Sequence, residues 1–523
     1  MNSQAKVQFP EALLDPTIYP QKTAHIELKE THISWILLAG EVVYKCKKPV
    51  KMDFLDFSTL EQRKWACAEE VRLNKRLAPD TYLGVVPVTC TEGKISIGGT
   101  GTPIEWLVQM RRLPLPETLD QKFWQGTLHR FDIERLAAVL ARFYASLSPA
   151  PMTAEEYRAR FTSHVQHNRE ELLRVSHHLP ADLVKRIHAC QLQLLQLQPE
   201  LFDERVANGC VVEGHGDLRP EHICLTEPPV IFDCIEFSCE FRTLDVADEL
   251  AFFVSECDHL GAAWVGTALL EDLSRLRADS CPQRLFNFYK SYRACVRAKV
   301  AALRADQLPG TEQEAVSRQA RNYLQQAERY LLAAESPLLL VVGGLPGTGK
   351  STLAFQLGTD LGAEVLRTDA IRQELFDEHS PQALDTGIYQ QAARDQVYGQ
   401  LLQRAKKLLQ QGCSVVLDGT FNDTATLGAA LQLAHTAKAR FLAVECTCPP
   451  PIAKERIVSR LDAGQDASRA TTAVYDKQQR DWLRWPTEIP QCAVDTIQSL
   501  ALQLQQVYQG VRAAEHQAAS VAR

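Results

Sequence analysis

Residues 338–351 read LLLVVGGLPGTGKS, an apolar run followed by Gly344, Leu345, Pro346, Gly347, Thr348, Gly349, Lys350 and Ser351. The spacing is G-x-x-x-x-G-K-S, and each residue type has a task in holding phosphate. Glycines let successive backbone N–H groups curl around a phosphate chain, the lysine reaches the β- and γ-phosphates, and the serine hydroxyl suits Mg2+. Thr352 opens TLAFQLGTDL, a helix-compatible segment whose positive dipole end serves the same anion site. A Gly-rich turn before an ordinary helix is the bland alternative, and the full register of strand, loop and helix argues against it. The stretch predicts an ATP site with Gly344 to Thr352 as its binding residues and Mg2+ on Ser351.

The motif opens near residue 338 of 523. A P-loop normally sits on the first strand of its domain, so residues 336–523 are expected to form one α/β P-loop NTPase domain with a parallel sheet. Residues 1–335 are too many for a tail and need a core of their own. With 45% hydrophobic and 23% charged residues and a net charge of −7, the chain is of ordinary globular composition. It offers no general basic surface for long nucleic acid or anionic membrane. The start, MNSQAKVQFPEALLDP, lacks a basic-then-apolar signal, and no apolar run approaches a membrane span, so a cytoplasmic chain without a membrane partner is expected. The 15 cysteines form no CxxC pairs and read as reduced thiols, which argues against zinc.

Residues 33–48 read as two strands joined at Ala39–Gly40, residues 59–77 as a helix, and residues 82–110 as further strands. From about 131 to 203 the pattern is helical. A short β-like region follows at 210–233, and helices continue to about 304. ADQLPGTEQ at 305–313 is a turn-rich break before one more amphipathic helix. A small β-rich lobe (about 1–112) is thus followed by a large helical lobe (about 113–335).

Two stretches carry chemistry in that first part, VVEGHGDLRPEHICL at 211–225 and VIFDCIEF at 230–237. A loop carboxylate, a metal-capable side chain five residues later and a strand-ending Asp suit phosphoryl transfer. This resembles the aminoglycoside phosphotransferase family, whose loop has the form H-G-D-x-x-x-x-N followed by a strand-ending Asp. The resemblance implies an α+β, protein-kinase-like, two-lobed domain over residues 1–335, with Asp217 in the catalytic loop and Asp233 as metal ligand. His222 occupies the position of the family's Asn and is expected as a further metal ligand, although this puts a nitrogen where hard Mg2+ prefers oxygen. The stretch RTLDVADELAFF implies Asp245 and Asp248 as structural acids.

In VVYKCKKP, Lys45 and Lys47 share one strand face and Lys48 points away; Lys45 is the expected phosphate lysine, with Glu70 on the next helix as its ion-pair partner. Tyr289, Arg293 and Arg297 fall on one helix face, for which a salt-bridged surface outweighs an anion-holding one.

Beyond the P-loop, AEVLRTDAIRQEL places Asp369 and Arg372 after a short strand, and SVVLDGTFND ends a strand at Asp418. This set resembles small P-loop kinases, the group of polynucleotide 5′-hydroxyl kinases, zeta-type toxins and related small-molecule kinases. The resemblance implies Asp369 as the base for the acceptor hydroxyl with Arg372 beside it, Asp418 in the Mg2+ shell, and Arg456 and Arg460 as lid arginines. A helix N-cap is the structural reading of Asp369 and is compatible with the catalytic one. The whole reads as an ATP-dependent phosphotransferase with two nucleotide sites and a small-molecule hydroxyl acceptor. The alternatives are a 5′-hydroxyl polynucleotide kinase, weakly opposed by the net charge, and an N-terminal pseudokinase or ligand sensor, suggested by His222.

Overall fold

The computed structural model describes residues 9–52, 55–277, 279–332, 336–376, 391–463 and 470–521. Packing divides the chain into two units, Met1–Thr153 with Glu204–Arg293 and Ala154–Asp203 with Ala294–Arg523. The linear boundary expected between residues 335 and 336 does not coincide with this division. Of the helical residues that follow the small lobe, those of 154–203 and from 294 onward belong, by packing, with the P-loop sheet. Among the described residues no helix is long and apolar enough to cross a membrane; residues 1–8 of the expected leaderless start lie outside them.

The first unit opens with a six-stranded antiparallel sheet. Its spatial order is Glu27–Glu30, Ser34–Ala39, Val42–Lys47, Thr102–Arg111, Tyr82–Thr91 and Lys94–Ile97. The hairpin expected at Ala39–Gly40 forms, with Gly40 at φ +65° and Ala39 paired with Val42. Helix Leu60–Asn74 starts on a capping box, in which Gln62 N donates to Thr59 Oγ1 (3.2 Å) and Thr59 N to Gln62 Oε1 (3.0 Å). Two N–H groups left over at the helix start are thereby satisfied. The helix packs on strands Thr102–Arg111 and Tyr82–Thr91. A helical lobe follows, with Arg130–Ala145, Val246–Leu260 and Ala263–Leu276. The first unit is thus α+β, a β-rich lobe followed by a helical one.

The second unit is built on a five-stranded, all-parallel sheet in the order Glu364–Arg367, Val415–Asp418, Leu338–Gly343, Arg440–Thr447, Gln491–Asp495. The run LLLVV is apolar throughout because a parallel sheet is covered on both faces. Leu339 and Val341 enter one core with Val397, Leu401 and Phe441. Leu338, Leu340 and Val342 enter another with Leu353, Leu357 and Val507. Leu197 of helix Ala181–Leu197 lies in that second core, so a segment from far upstream helps to cover the P-loop sheet. The sheet is α/β with its first strand central, as the motif implies.

Candidate active sites

In the first unit, strand alternation puts Lys45 and Lys47 on one face, and both meet Glu70. Lys45 Nζ lies 2.8 Å from Glu70 Oε1 and 2.7 Å from Asp233 Oδ1. Lys47 Nζ lies 2.5 Å from Glu70 Oε2 and pairs with Glu236 as well, wholly buried. Lys48 turns away to Glu30. Burial works against all these charges. Attraction between them prevails for Lys45 and Lys47, whose pKa values rise, and for Glu70, whose pKa falls. At Glu236 burial prevails and the carboxyl lies above its usual range.

Asp233 sits in the left-handed region at φ +64°, which Asp tolerates better than most residues. Its N–H donates to Tyr82 Oη (3.2 Å), and that of Cys234 to Asn74 Oδ1 (2.9 Å). Burial would raise its pKa, but Lys45 and His222 outweigh it and hold the carboxyl well below the usual carboxylate range.

The loop carrying Asp217 follows strand Val211–Glu213. Gly216 has φ +86°, and a Cβ there would come within 3.2 Å of Arg242 Cα, so this turn needs glycine. Glu249 Oε1 accepts from the N–H groups of His215 (2.7 Å) and Gly216 (2.6 Å), while Tyr144 Oη donates to Oε2 (2.8 Å). His215 Nε2 contacts Phe232 O at 3.0 Å. Burial, reinforced by His222, lowers the His215 pKa to about 4, leaving a neutral ring.

His222 Nδ1 lies 2.9 Å from Asp217 O, so Nδ1 is the donor and Nε2 keeps the lone pair. That nitrogen is 3.6 Å from Asp233 Oδ2 and 3.0 Å from Arg219 Nη2. Arg219 also pairs with Asp217 Oδ2 (3.1 Å) and Glu221 Oε1 (2.5 Å). The structure therefore brings together Lys45, Glu70, Asp217, His222 and Asp233, the residues singled out in the sequence, and adds Arg219. Asp245 pairs with Arg205 and Tyr289, and Asp248 with Arg293. Tyr289 and Arg293 are thus structural partners of the two acids.

At the P-loop, Gly344, Gly347 and Gly349 have φ of +137°, +76° and +80°. A Cβ on Gly344 or Gly347 would come within 2.4 Å of Cys446 O or 2.3 Å of Ala453 O. Leu345 O accepts from both Thr348 Oγ1 (2.7 Å) and Lys350 Nζ (2.8 Å). Pro346 is buried in the loop, and Ser351 and exposed Thr352 lie in the first turn of helix Lys350–Leu361. Asp418 ends the neighbouring strand, aligned with Val342 and Arg367. Its carboxylate lies 3.2 Å from Arg367 Nε, and Ser351 beside it favours the ionised form. Burial raises the Asp418 pKa and lowers that of Lys350, against their mutual attraction. Asp369, in the first turn of helix Thr368–Phe376, pairs with Arg372. Arg456 donates to Thr496 Oγ1 (3.1 Å) and Thr496 O (3.0 Å), close to Gly349. Arg460 donates to Ala470 O (3.3 Å) and its charge reaches Lys350.

A family model described as an AAA domain matches residues 339–483. The uncharacterized protein Rv2004c of Mycobacterium tuberculosis is 34% identical over 466 residues, covering 87% of this chain and 91% of that protein. The chain belongs to the family of this mycobacterial protein. Among solved structures, a choline/ethanolamine kinase family protein from Mesorhizobium loti is similar at 14% identity, covering 60% of this chain and 92% of that one, with a TM-score of 0.37. A gluconokinase from Sinorhizobium meliloti is similar at 18% identity, covering 36% of this chain and 99% of that one, with a TM-score of 0.27.

The residues present fit Mg2+ unequally. Among the described residues no three His, Cys, Asp or Glu side chains form a self-sufficient metal site. Mg2+ seldom needs one, since it takes one or two protein ligands and completes its octahedron with phosphate oxygens and water. Ser351 with Asp418, and Asp233 by itself, fit that pattern. His222 fits it poorly, because its one lone pair faces Arg219 and nitrogen is a poor donor for so hard an ion. Glu249, Arg219 and Arg367 escape sequence reading. For Arg219 the signal was its place two residues after Asp217 on the same turn.

Proposed function

We propose that this protein is an ATP-dependent phosphotransferase with two nucleotide sites, each moving the γ-phosphoryl group of ATP to a hydroxyl of a small molecule. The P-loop carries the reading: three glycines at positive φ bend the loop between strand Leu338–Gly343 and helix Lys350–Leu361, with Lys350 and Ser351 in the first turn of that helix and Asp418 at the end of the neighbouring strand. Lys350 exchanges its contact with Leu345 O for phosphate oxygens. Ser351 and Asp418 at one site and Asp233 at the other would hold Mg2+, which would supply charge neutralisation for the ATP phosphates. Asp369 in the P-loop domain and Asp217 in the kinase-like region take the acceptor's proton. The acceptor oxygen bonds to the γ-phosphorus as the bond to the β–γ bridging oxygen breaks, and ADP leaves. Arg372 orients Asp369, and Arg456 and Arg460 offset charge on the transferring group.

The test uses the full chain and labelled ATP against a panel of hydroxylated metabolites and a 5′-hydroxyl oligonucleotide. Lys350→Ala is expected to lower transfer at the P-loop site by about 100-fold or more, and Lys45→Ala to do the same for the kinase-like site. Undiminished transfer in both variants overturns the proposal, and transfer to the oligonucleotide alone replaces the small-molecule acceptor by a nucleic-acid end. Arg219 supports a second reading for the N-terminal region, because it pairs with Asp217 and takes the lone pair of His222. A pseudokinase of that kind predicts that Asp217→Asn leaves every transfer rate unchanged.

A further inference from the structure

A cavity of about 530 Å3 opens in the first unit, away from the residues of the kinase-like site. Lys45, Glu70, Asp217, His222 and Asp233 take no part in its lining. Its walls come from residues 76–81 after helix Leu60–Asn74, the end of strand Thr102–Arg111 with the residues that follow, helix Arg130–Ala145, and the 226–230 turn. Four arginines line it, Arg76, Arg111, Arg112 and Arg142, against two acids, Asp80 and Glu227.

These arginines are not equally engaged. Arg76 donates to Glu213 O (2.8 Å) and Gly214 O (2.7 Å) and stacks over Phe143, 5.2 Å from the ring centre. Arg112 makes a 3.4 Å contact with Gly40 O and a loose 3.8 Å pair with Glu27. Among the described residues, Arg111 and Arg142 have no hydrogen-bond or ion-pair partner for their guanidinium groups, and both are exposed. Glu227, the nearest acid on the 226–230 turn, has a side chain 90% exposed and lies 3.9 Å from Arg135. Val139 and Phe143 give the cavity an apolar wall. Its volume falls within the range that takes a small ligand. Guanidinium is the group that grips phosphate or carboxylate in a two-point fork.

We propose that this cavity binds a small organic anion carrying at least two phosphate or carboxylate groups, one for Arg111 and one for Arg142, with its carbon skeleton against Val139 and Phe143. The site is independent of the phosphotransferase reading. Arg76 forms a wall shared with the carbonyls directly before His215–Gly216–Asp217, so a bound anion lies one side chain away from that loop.

Calorimetric titration of the full chain with pyrophosphate, and separately with citrate, tests the proposal. A Lys350→Ala background removes phosphate capture by the P-loop. One binding event is expected for at least one of the two anions, weakened by added salt and at least tenfold weaker when Arg111→Gln and Arg142→Gln are added. Loss for pyrophosphate alone supports a phosphorylated ligand, and loss for citrate alone a polycarboxylate. An unchanged melting temperature in the arginine variant shows that binding, not folding, was lost. Binding of neither anion, or binding undiminished by the two substitutions, overturns the site.

Discussion

His188 is fully buried in helix Ala181–Leu197; its Nδ1 bonds Val184 O at 2.7 Å, and among the described residues its Nε2 has no partner. Burial lowers its pKa from the usual 6.5 to about 4. The unfolded chain therefore binds a proton that the folded chain refuses between those values. The stability contributed is fully present above pH 6.5 and lost as pH falls towards 4, on the order of 3 kcal/mol in all. His188→Leu should melt close to the wild type at pH 7.5 and fall less steeply down to pH 5; parallel curves would remove His188 as the cause. Glu70 poses the opposite case, a buried carboxylate shared by buried Lys47 and partly buried Lys45. Glu70→Gln is expected to cost about 3–5 kcal/mol, since Lys47 would keep its charge with only Glu236 beside it. Urea unfolding at pH 7 reads this directly, and a loss below about 1 kcal/mol would show that water reaches the cluster. Lys45, Glu70 and Asp233 were legible because strand alternation and motif spacing act locally. Glu249 was not, since the N–H groups it serves lie 33 and 34 residues away in sequence, and no local pattern records that approach.

Helices and their ends behave differently according to what they meet. The helix after the P-loop ends at Gly362, with φ +60°, where a Cβ would come within 2.7 Å of Ala189 Cα. Two penalties coincide there, left-handed backbone and close approach of a second helix. Gly362→Ala should therefore destabilise by at least about 1–3 kcal/mol. Gly399 and Gly428 lie inside helices Gln391–Gln410 and Thr424–Thr436, where an added Cβ would meet nothing within 4 Å. Alanine at either is expected to stabilise by about 0.5–1 kcal/mol. Thermal melts of the three variants check the contrast, and a Gly362→Ala chain as stable as wild type would mean that the two helices do not meet there. The elements themselves were largely legible: the Ala39–Gly40 hairpin, the helix after residue 59 and the strands ending at Gly343 and Asp418 follow from periodicity and turn chemistry. Which helix meets Gly362 was not, because an apolar stripe specifies a buried face without naming its partner.

That gap decides how the whole molecule divides. Sequence order attaches residues 154–203 to the helical lobe, as neighbours along a chain usually pack together. In the structure this segment joins the P-loop unit. Leu197 enters the core beneath Leu338, Leu340 and Val342. Gln193 donates to Leu361 O (3.1 Å) and Ser414 Oγ (2.9 Å) and accepts from Arg440 Nη2 (2.5 Å). Lys185 pairs with Glu364 at 2.7 Å on the edge strand of the same sheet. Residues 336–523 expressed alone would lose the apolar cover of Leu197, worth about 1.5–3 kcal/mol, and the buried partners of Gln193, at about 1–3 kcal/mol more. Set against the roughly 5–15 kcal/mol that holds a typical domain, these losses are enough to loosen it. The isolated segment should bind a hydrophobic dye, melt at lower temperature than the full chain and lose ATP affinity without any change to the P-loop. In the full chain, Leu197→Ala with Gln193→Ala should reproduce part of that loss while leaving the Lys45-dependent transfer proposed for the first unit intact. Cooperative melting of residues 336–523 within a few degrees of the full chain would show that the helix Ala181–Leu197 rests on the sheet without supporting it.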